Sequence, residues 1–261
     1  MLPPPPPPLP AVIDPDAGAR TAFVLDARHR RMDGAWHAHR RGQLVHAAEG
    51  VLAVSTAEGR WVVPPARAVW VPAGQRHKVA SQRPFRLLTL YVDRVSAPLP
   101  DVCRVVAVDA LVRELLASAA HFGRDYPAGG AEERLVRVTL DRLPALTVAP
   151  LLHLPVPQSA ELAKLTAELA AAPGGRRTLG AWAARVGLTP RTTARRFVSE
   201  TGLTFGQWRQ QLRLLSALEL LGAGESVTAV AFAVGYDDVS SFIEAFKAAM
   251  GVTPGRYFAP G

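Results

Sequence analysis

The stretches AARVGLTPRTTARRFVSETGLT, residues 183–204, and AFAVGYDDVSSFIEAFKAAMGVT, residues 231–253, decide the fold, because the second repeats the first. Gly187 and Gly235 lie 48 positions apart, and both Phe197/Phe246 and Gly202/Gly251 lie 49 apart, so the second copy carries one extra residue. Each copy reads as a short helix of small residues, a glycine turn, and a helix with an aromatic on its buried face. That is the sequence form of a helix-turn-helix. The glycine permits the tight turn, and Ala184 and Ala233 just before it are expected to let the two helices approach. Between the copies runs FGQWRQQLRLLSALELL, residues 205–221, with Trp208, Leu212, Leu215 and Leu218 at helical spacing. A helix of that length spans about 25 Å, which with the width of the units sets the two second helices roughly 34 Å apart, one turn of duplex DNA. One such unit occurs in many helical bundles; two joined by a single helix point to a reader of successive major grooves.

The two second helices differ in charge. The first presents Arg191, Thr192, Arg195 and Arg196, and Arg191 and Arg195 share a face. Arginine bonds two acceptors on guanine or clamps a phosphate; the alternative is a solvated charged face. The second carries Asp237, Asp238 and Glu244, which phosphates repel. The first unit is therefore expected to read most bases, and the second to add register through Ser240, Ser241, Lys247 and helix N-terminal amides. Upstream, Ser159 is placed to cap a helix bearing Leu162, Leu165 and Leu169, and Thr178 and Pro190 to open the next two.

Towards the N-terminus the period changes. Residues 21–108 hold eight short strand-like runs, AFVLD, QLVHAA, VLAVST, RWVV, AVWVP, HKVA, RLLTLYV and CRVVAV, punctuated by Gly and Pro, a pattern that suggests a sandwich or barrel. Residues 109–145 read as two amphipathic helices, with Leu111, Leu115 and Leu116, then Leu135, Val138 and Leu143, as their apolar stripes, and are assigned to dimerisation. Residues 146–158 are a proline-rich linker, and residues 1–20 a proline-rich tail expected to be disordered.

HAHRRGQLVHAAEG, residues 37–50, raises the question of a ligand. On a strand His37 and His39 point to one face, and His77 on another strand offers a third nitrogen. Such donors suit nickel, zinc, iron or copper. Three neutral imidazoles and the amide of Gln43 leave the cation's charge uncompensated. Three readings stand side by side: a regulatory metal, an organic effector held with help from Arg41 or Arg76, and structural histidines. None needs catalysis, and no catalytic residue is assigned.

The 261 residues carry a net charge of +8, shared between the two halves of the chain, which favours an anionic partner and nucleic acid above all. A single cysteine, Cys103, excludes an intrachain disulfide and a cysteine-based zinc site. Without a signal peptide or an apolar run of membrane-spanning length, the expected location is the cytoplasm.

Residues 159–258 resemble the AraC family of bacterial transcription regulators, through ALELL and AFAVGYDDVSSFIEAFKAAMGVTPGRY and through RTTARRFVSETGLTFGQWRQQLRL. Thr193 departs from that family's usual leucine. Residues 21–95 resemble a cupin: His37, His39, Gln43 and Gly50 match its first motif, with glutamine where metal-binding cupins have glutamate, and PAGQRH, with Pro72, Gly74 and His77, matches its second. The resemblance implies an α+β multidomain chain. A cupin-like β-barrel sensor at 21–108 would precede an all-α DNA-binding domain at 159–261, with helix-turn-helix units at about 178–199 and 226–249. It implies a homodimer on a double-stranded DNA operator, a small-molecule or metal effector, RNA polymerase as partner if the protein activates, no membrane, and a lean towards repression. The rivals are a cupin metalloenzyme, a dioxygenase or isomerase with a helical appendage, and a protein-binding adaptor.

Overall fold

The computed structural model describes residues 14–149 and 152–259. The first nine strands are β1 (Ala22–His29), β2 (Met32–Asp33), β3 (Gly42–Glu49), β4 (Leu52–Ser55), β5 (Gly59–Val63), β6 (Arg67–Val71), β7 (Lys78–Ser81), β8 (Phe85–Val92) and β9 (Arg104–Ala107). Then come α1 (Ala110–Ala120), α2 (Ala131–Arg142) and the short strand β10 (His153–Pro155). The remainder is helical: α3 (Ala160–Ala171), α4 (Leu179–Arg185), α5 (Pro190–Thr201), α6 (Phe205–Gly222), α7 (Val227–Ala233), α8 (Val239–Met250) and α9 (Pro254–Tyr257).

The expected cupin-like barrel is not formed. One sheet runs β1-β8-β3-β6-β9 and the other β10-β5-β4-β7-β2, and among the described residues no ladder joins an edge of one to an edge of the other. Closure requires hydrogen bonds between edge strands. Alternating strands with regular turns serve an open pair of packed sheets equally well. The N-terminal region is therefore an open two-sheet structure, and the cupin assignment falls with the barrel.

The first sheet is buried on both faces. Val45, Ala47, Val69 and Val71 join a core shared with the second sheet, whereas Leu44, Ala68, Leu88 and Leu90 pack with α1 and α2. Double burial explains why β3 is buried from Gly42 to Ala47 instead of alternating between core and solvent, with Gln43 and His46 buried among its apolar residues. The helical stripes also differ from expectation. Val112, Leu116 and Ala119 of α1 and Val136 and Leu140 of α2 are buried, while Leu111 and Val138 are exposed. The apolar spacing in α1 allows two registers, and the first sheet selects the one through Val112.

Residues 1–13 of the proline-rich tail lie outside the described residues. Its last residues form a short turn, Pro15–Ala17, and the Asp16 carboxylate accepts from the Arg40 backbone N–H at 2.9 Å. The linker likewise contains structure, because β10 pairs with β5, His153 opposite Trp61.

In the helical region the caps do most of the delimiting. Thr178, Thr189, Thr204, Ser226 and Asp238 accept backbone N–H bonds at the starts of α4, α5, α6, α7 and α8. Ser159 occupies the N-cap position of α3 as expected, but its hydroxyl makes no cap bond; its backbone N–H donates to Glu200 at 2.9 Å. The small residues at the two helix crossings are Ala183 and Ala231, each four before its glycine and fully buried, rather than the exposed Ala184 and Ala233. Gly187 and Gly235 adopt φ of 71° and 88°, the left-handed turn conformation that disfavours a side chain.

Candidate functional site

Two places gather functional side chains: the exposed face of the duplicated helices, and the histidine cluster at the edge of the sheets.

On α5, Phe197 and Thr193 face the core, and Thr193 satisfies its hydroxyl on the Thr189 carbonyl at 3.0 Å. This is how a polar residue fills a position expected to be leucine. The opposite face presents Arg191 and Arg195, both exposed and, among the described residues, in no ion pair. Arg196 turns aside to Glu161 at 3.6 Å and Glu200 at 3.4 Å. The Thr192 hydroxyl accepts from Thr189 at 2.9 Å. On α8, Ser240, Glu244 and Lys247 are exposed, whereas the Ser241 hydroxyl donates to the capping Asp238 at 2.7 Å. The hydrogen bonds from Ser241 hold the Asp238 carboxyl below the usual carboxylate range. Of the seven residues expected to meet DNA, the side chains of Arg191, Arg195, Ser240 and Lys247 make no ion pair or hydrogen bond among the described residues. Thr192, Arg196 and Ser241 have local duties.

The histidine cluster is assembled by backbone pairing. His37 and His77 exchange backbone hydrogen bonds at 3.0 and 2.9 Å, which brings the segment before β3 against the segment before β7. The ring centroids of His37 and His77 are 4.3 Å apart, and His39 lies 5.9 and 5.2 Å from them. One nitrogen from each ring falls within 4.8 Å of the others.

Each ring is oriented by its other nitrogen. Nδ1 of His37 faces the Ala35 carbonyl at 3.0 Å, Nδ1 of His39 that of Arg41 at 2.6 Å, and Nδ1 of His77 that of Gln75 at 2.8 Å. A carbonyl only accepts, so each Nδ1 carries a proton, and Nε2 is the nitrogen left for a ligand. Nε2 of His39 and of His77 lie 3.2 and 2.9 Å from Gln43 Oε1, whose amide nitrogen donates to the Tyr91 hydroxyl at 3.3 Å. Two imidazole lone pairs therefore converge on the Gln43 amide, and either a cation between them or an amide turned so that its nitrogen donates to Nε2 satisfies them. His77 is fully buried, and burial pushes its pKa down to about 4, which keeps the imidazole neutral. His37 is exposed and leaves the cluster open to solvent.

Sequence reasoning missed Tyr91, since no motif marks it. The register of β3 and β8 sets it opposite Gln43, and burial pushes its phenol up to about 12. Both cations expected to assist an effector carboxylate are engaged elsewhere. Buried Arg41 donates to the carbonyls of Gly18, Arg20 and Thr21, and Arg76 sits 5.6 Å over the Trp36 ring.

Two family models match the chain: an AraC-like ligand binding domain over residues 22–135 and a helix-turn-helix domain over residues 182–259. Across 241 residues the chain is 36% identical to the HTH-type transcriptional regulator NimR of Escherichia coli K12, covering 92% of this chain and 88% of that one. It is 36% identical over 108 residues to the HTH-type transcriptional regulator RipA of Corynebacterium diphtheriae, covering 41% of this chain and 32% of that regulator. Among solved structures, ToxT from Vibrio cholerae is 10% identical and covers 91% of this chain and 98% of its own, with a TM-score of 0.39. These relatives are regulators, not enzymes. No helix among the described residues is long and apolar enough to cross a membrane.

Proposed function

We propose, for a chain that belongs to the AraC family of helix-turn-helix transcriptional regulators and so acts on DNA rather than as an enzyme, that a divalent transition metal held by His37, His39 and His77 governs its grip on an operator. The observation that carries this reading is the orientation of the three rings. Every Nδ1–H is spent on a backbone carbonyl, the outer-shell pattern that fixes a metal-binding tautomer. Gln43 would supply a further oxygen donor. Imidazole-rich donors suit nickel, copper, zinc or iron. The match to an AraC-like ligand binding domain favours a second reading, in which an organic ligand occupies the same place.

Elemental analysis of the purified protein, with zinc and nickel titrations of wild type and His37→Ala, tests the metal. Saturable binding that the substitution weakens is the expected result; identical titrations would overturn it. Mobility shifts on the chain's own upstream DNA, with and without metal, read the coupling, and a promoter fusion reads whether the protein represses or activates.

Base reading is assigned to Arg191 and Arg195 of α5, with Ser240 and Lys247 of α8 setting register. The helices α1 and α2 are assigned to self-association, supported by Leu111 and Val138 exposed on their outer faces. Light scattering of Leu111→Lys/Val138→Lys is expected to report a monomer where the parent is a dimer.

A further inference from the structure

We propose that Arg176, Arg177 and Arg209, gathered near Arg213 between the two helix-turn-helix units, form a clamp for the DNA phosphates that lie between the two grooves. The inference rests on the chain's DNA-binding activity and adds a contact that neither recognition helix supplies.

The loop between α3 and α4 reaches across to the second unit. A Cβ built on Gly235 would lie 2.7 Å from the Gly174 carbonyl oxygen and 2.8 Å from Gly174 Cα, so the two backbones touch. Beside this contact Arg176 pairs with Asp237, at the entrance to α8. The Arg209 guanidinium donates to the Arg177 carbonyl at 3.2 Å, and Arg213 to the Pro173 carbonyl at 3.4 Å. Arg213 also lies 5.9 Å over the Tyr236 ring. Three guanidiniums, of Arg176, Arg209 and Arg213, thus collect where the first unit begins and the second recognition helix starts, and Arg177, over the Trp182 ring at 5.2 Å, lines the same groove as Arg176.

Their charge is poorly balanced. Asp237 is the carboxylate paired within the group. Asp238 is committed to capping α8, and Glu168, which lines the adjoining groove with Arg176 and Arg177, is paired with Arg185. Arg213 is half-buried, and burial first, then the neighbouring Arg209 and Arg176, hold its pKa below the ordinary guanidinium value. Fixed arginines crowded this way favour an anion with several oxygens, and planar guanidinium groups suit phosphate.

The position selects the DNA backbone over a soluble anion. The other side of α6 is covered, because the Trp208 indole N–H donates to the Pro155 carbonyl at 2.8 Å and Glu219 pairs with Arg60. Arg209 and Arg213 are four apart and share a face of α6 turned about 80–140° from Trp208 and Glu219. A duplex lying along α5 and α8 would pass its backbone over this patch.

The test uses full-length protein and a mixed-sequence duplex of about 40 base pairs, with affinity measured by fluorescence anisotropy across about 50 to 200 mM salt. Arg176→Gln, Arg177→Gln and Arg209→Gln are compared singly and together. Each lost phosphate contact is expected to make the slope of log affinity against log salt shallower by about 0.9. The melting temperature should hold, and lysine at the same three positions should restore most of the slope. An unchanged slope in the triple glutamine variant overturns the clamp alone. Wild-type protein that fails to bind the duplex overturns the DNA-binding reading, and the clamp with it.

Discussion

Arg195 and Arg196 are neighbours in sequence and opposites in surroundings. Arg195 stands exposed beside Arg191, whereas Arg196 lies between Glu161 and Glu200. Arg195→Ala is therefore expected to cost about 1–3 kcal/mol of operator discrimination while leaving the melting curve in place. Arg196→Ala should instead lower stability by about 0.2–1 kcal/mol, the range for partly exposed pairs, and leave base preference alone. Selection of binding sites from a random pool, alongside thermal melts, separates the two; matching losses of specificity would defeat the assignment. Buried histidines set the response to acid, and beside His77 they include His46 and His153. His46 is fully buried with Nδ1 on the Arg67 carbonyl at 2.8 Å, and its Nε2 has no hydrogen-bond partner among the described residues. His153 is stacked on Trp61 at 4.5 Å, and its Nε2 likewise has no partner among the described residues. Burial lowers both pKa values from 6.5. The unfolded chain then binds more protons than the native one once the pH drops below 6.5, so stability is full above that value and is lost as pH falls towards the depressed native values. Urea midpoints should decline between about pH 7 and 5, and His46→Gln should flatten the decline. Midpoints that stay constant across that interval would contradict it.

At the scale of elements, the duplicated units were legible because a tight turn leaves few choices. Only glycine sits easily at the φ of Gly187 and Gly235, and a fully buried ring was needed at Phe197 and Phe246. The alanines were misplaced by one or two residues because Ala183 and Ala184 are adjacent and either could face the partner helix, as Ala231 and Ala233 could. The barrel was misjudged for a different reason. Side-chain alternation records which face of a strand is buried, but closure is made by backbone groups at sheet edges, which carry no sequence signature. Similarly, His37, His39, Gln43 and His77 were legible from spacing, whereas Tyr91 joins them only through the register of β3 and β8. The two turn glycines now part company. Nothing lies within 4 Å of a Cβ at Gly187, whereas one at Gly235 meets the Gly174 backbone. Gly187→Ala should cost about 1 kcal/mol, the left-handed penalty alone. Gly235→Ala should cost clearly more, and should weaken DNA binding by displacing the α3–α4 loop. Equal losses in paired urea titrations would show that the loop contact is immaterial.

In the whole molecule, α6 belongs to both halves at once. Its eighteen residues span about 27 Å. Trp208, Leu212, Leu215 and Leu218 share one continuous core with Trp61, Val62, Val63 and Leu154 of the sheets. At its C-terminal end Glu219 pairs with Arg60 of β5, and beyond it Glu225 lies 3.5 Å from Arg83. A regulator transmits a signal only if the ligand prefers one arrangement of its two sites over another. Here a continuous route from the histidine cluster runs along β7, through its pairing with β4 and that of β4 with β5, into α6. If the metal acts by that route, loosening the Arg60–Glu219 contact should reduce the metal-induced change in operator affinity more than it reduces affinity itself. Arg60→Glu and Glu219→Arg should each show this loss, and the two together should recover part of the response, since the exchanged charges can pair again. Mobility shifts with and without zinc measure all four proteins on one scale. A metal response preserved in both single variants would mean that the signal crosses elsewhere, through the partner protomer or the DNA.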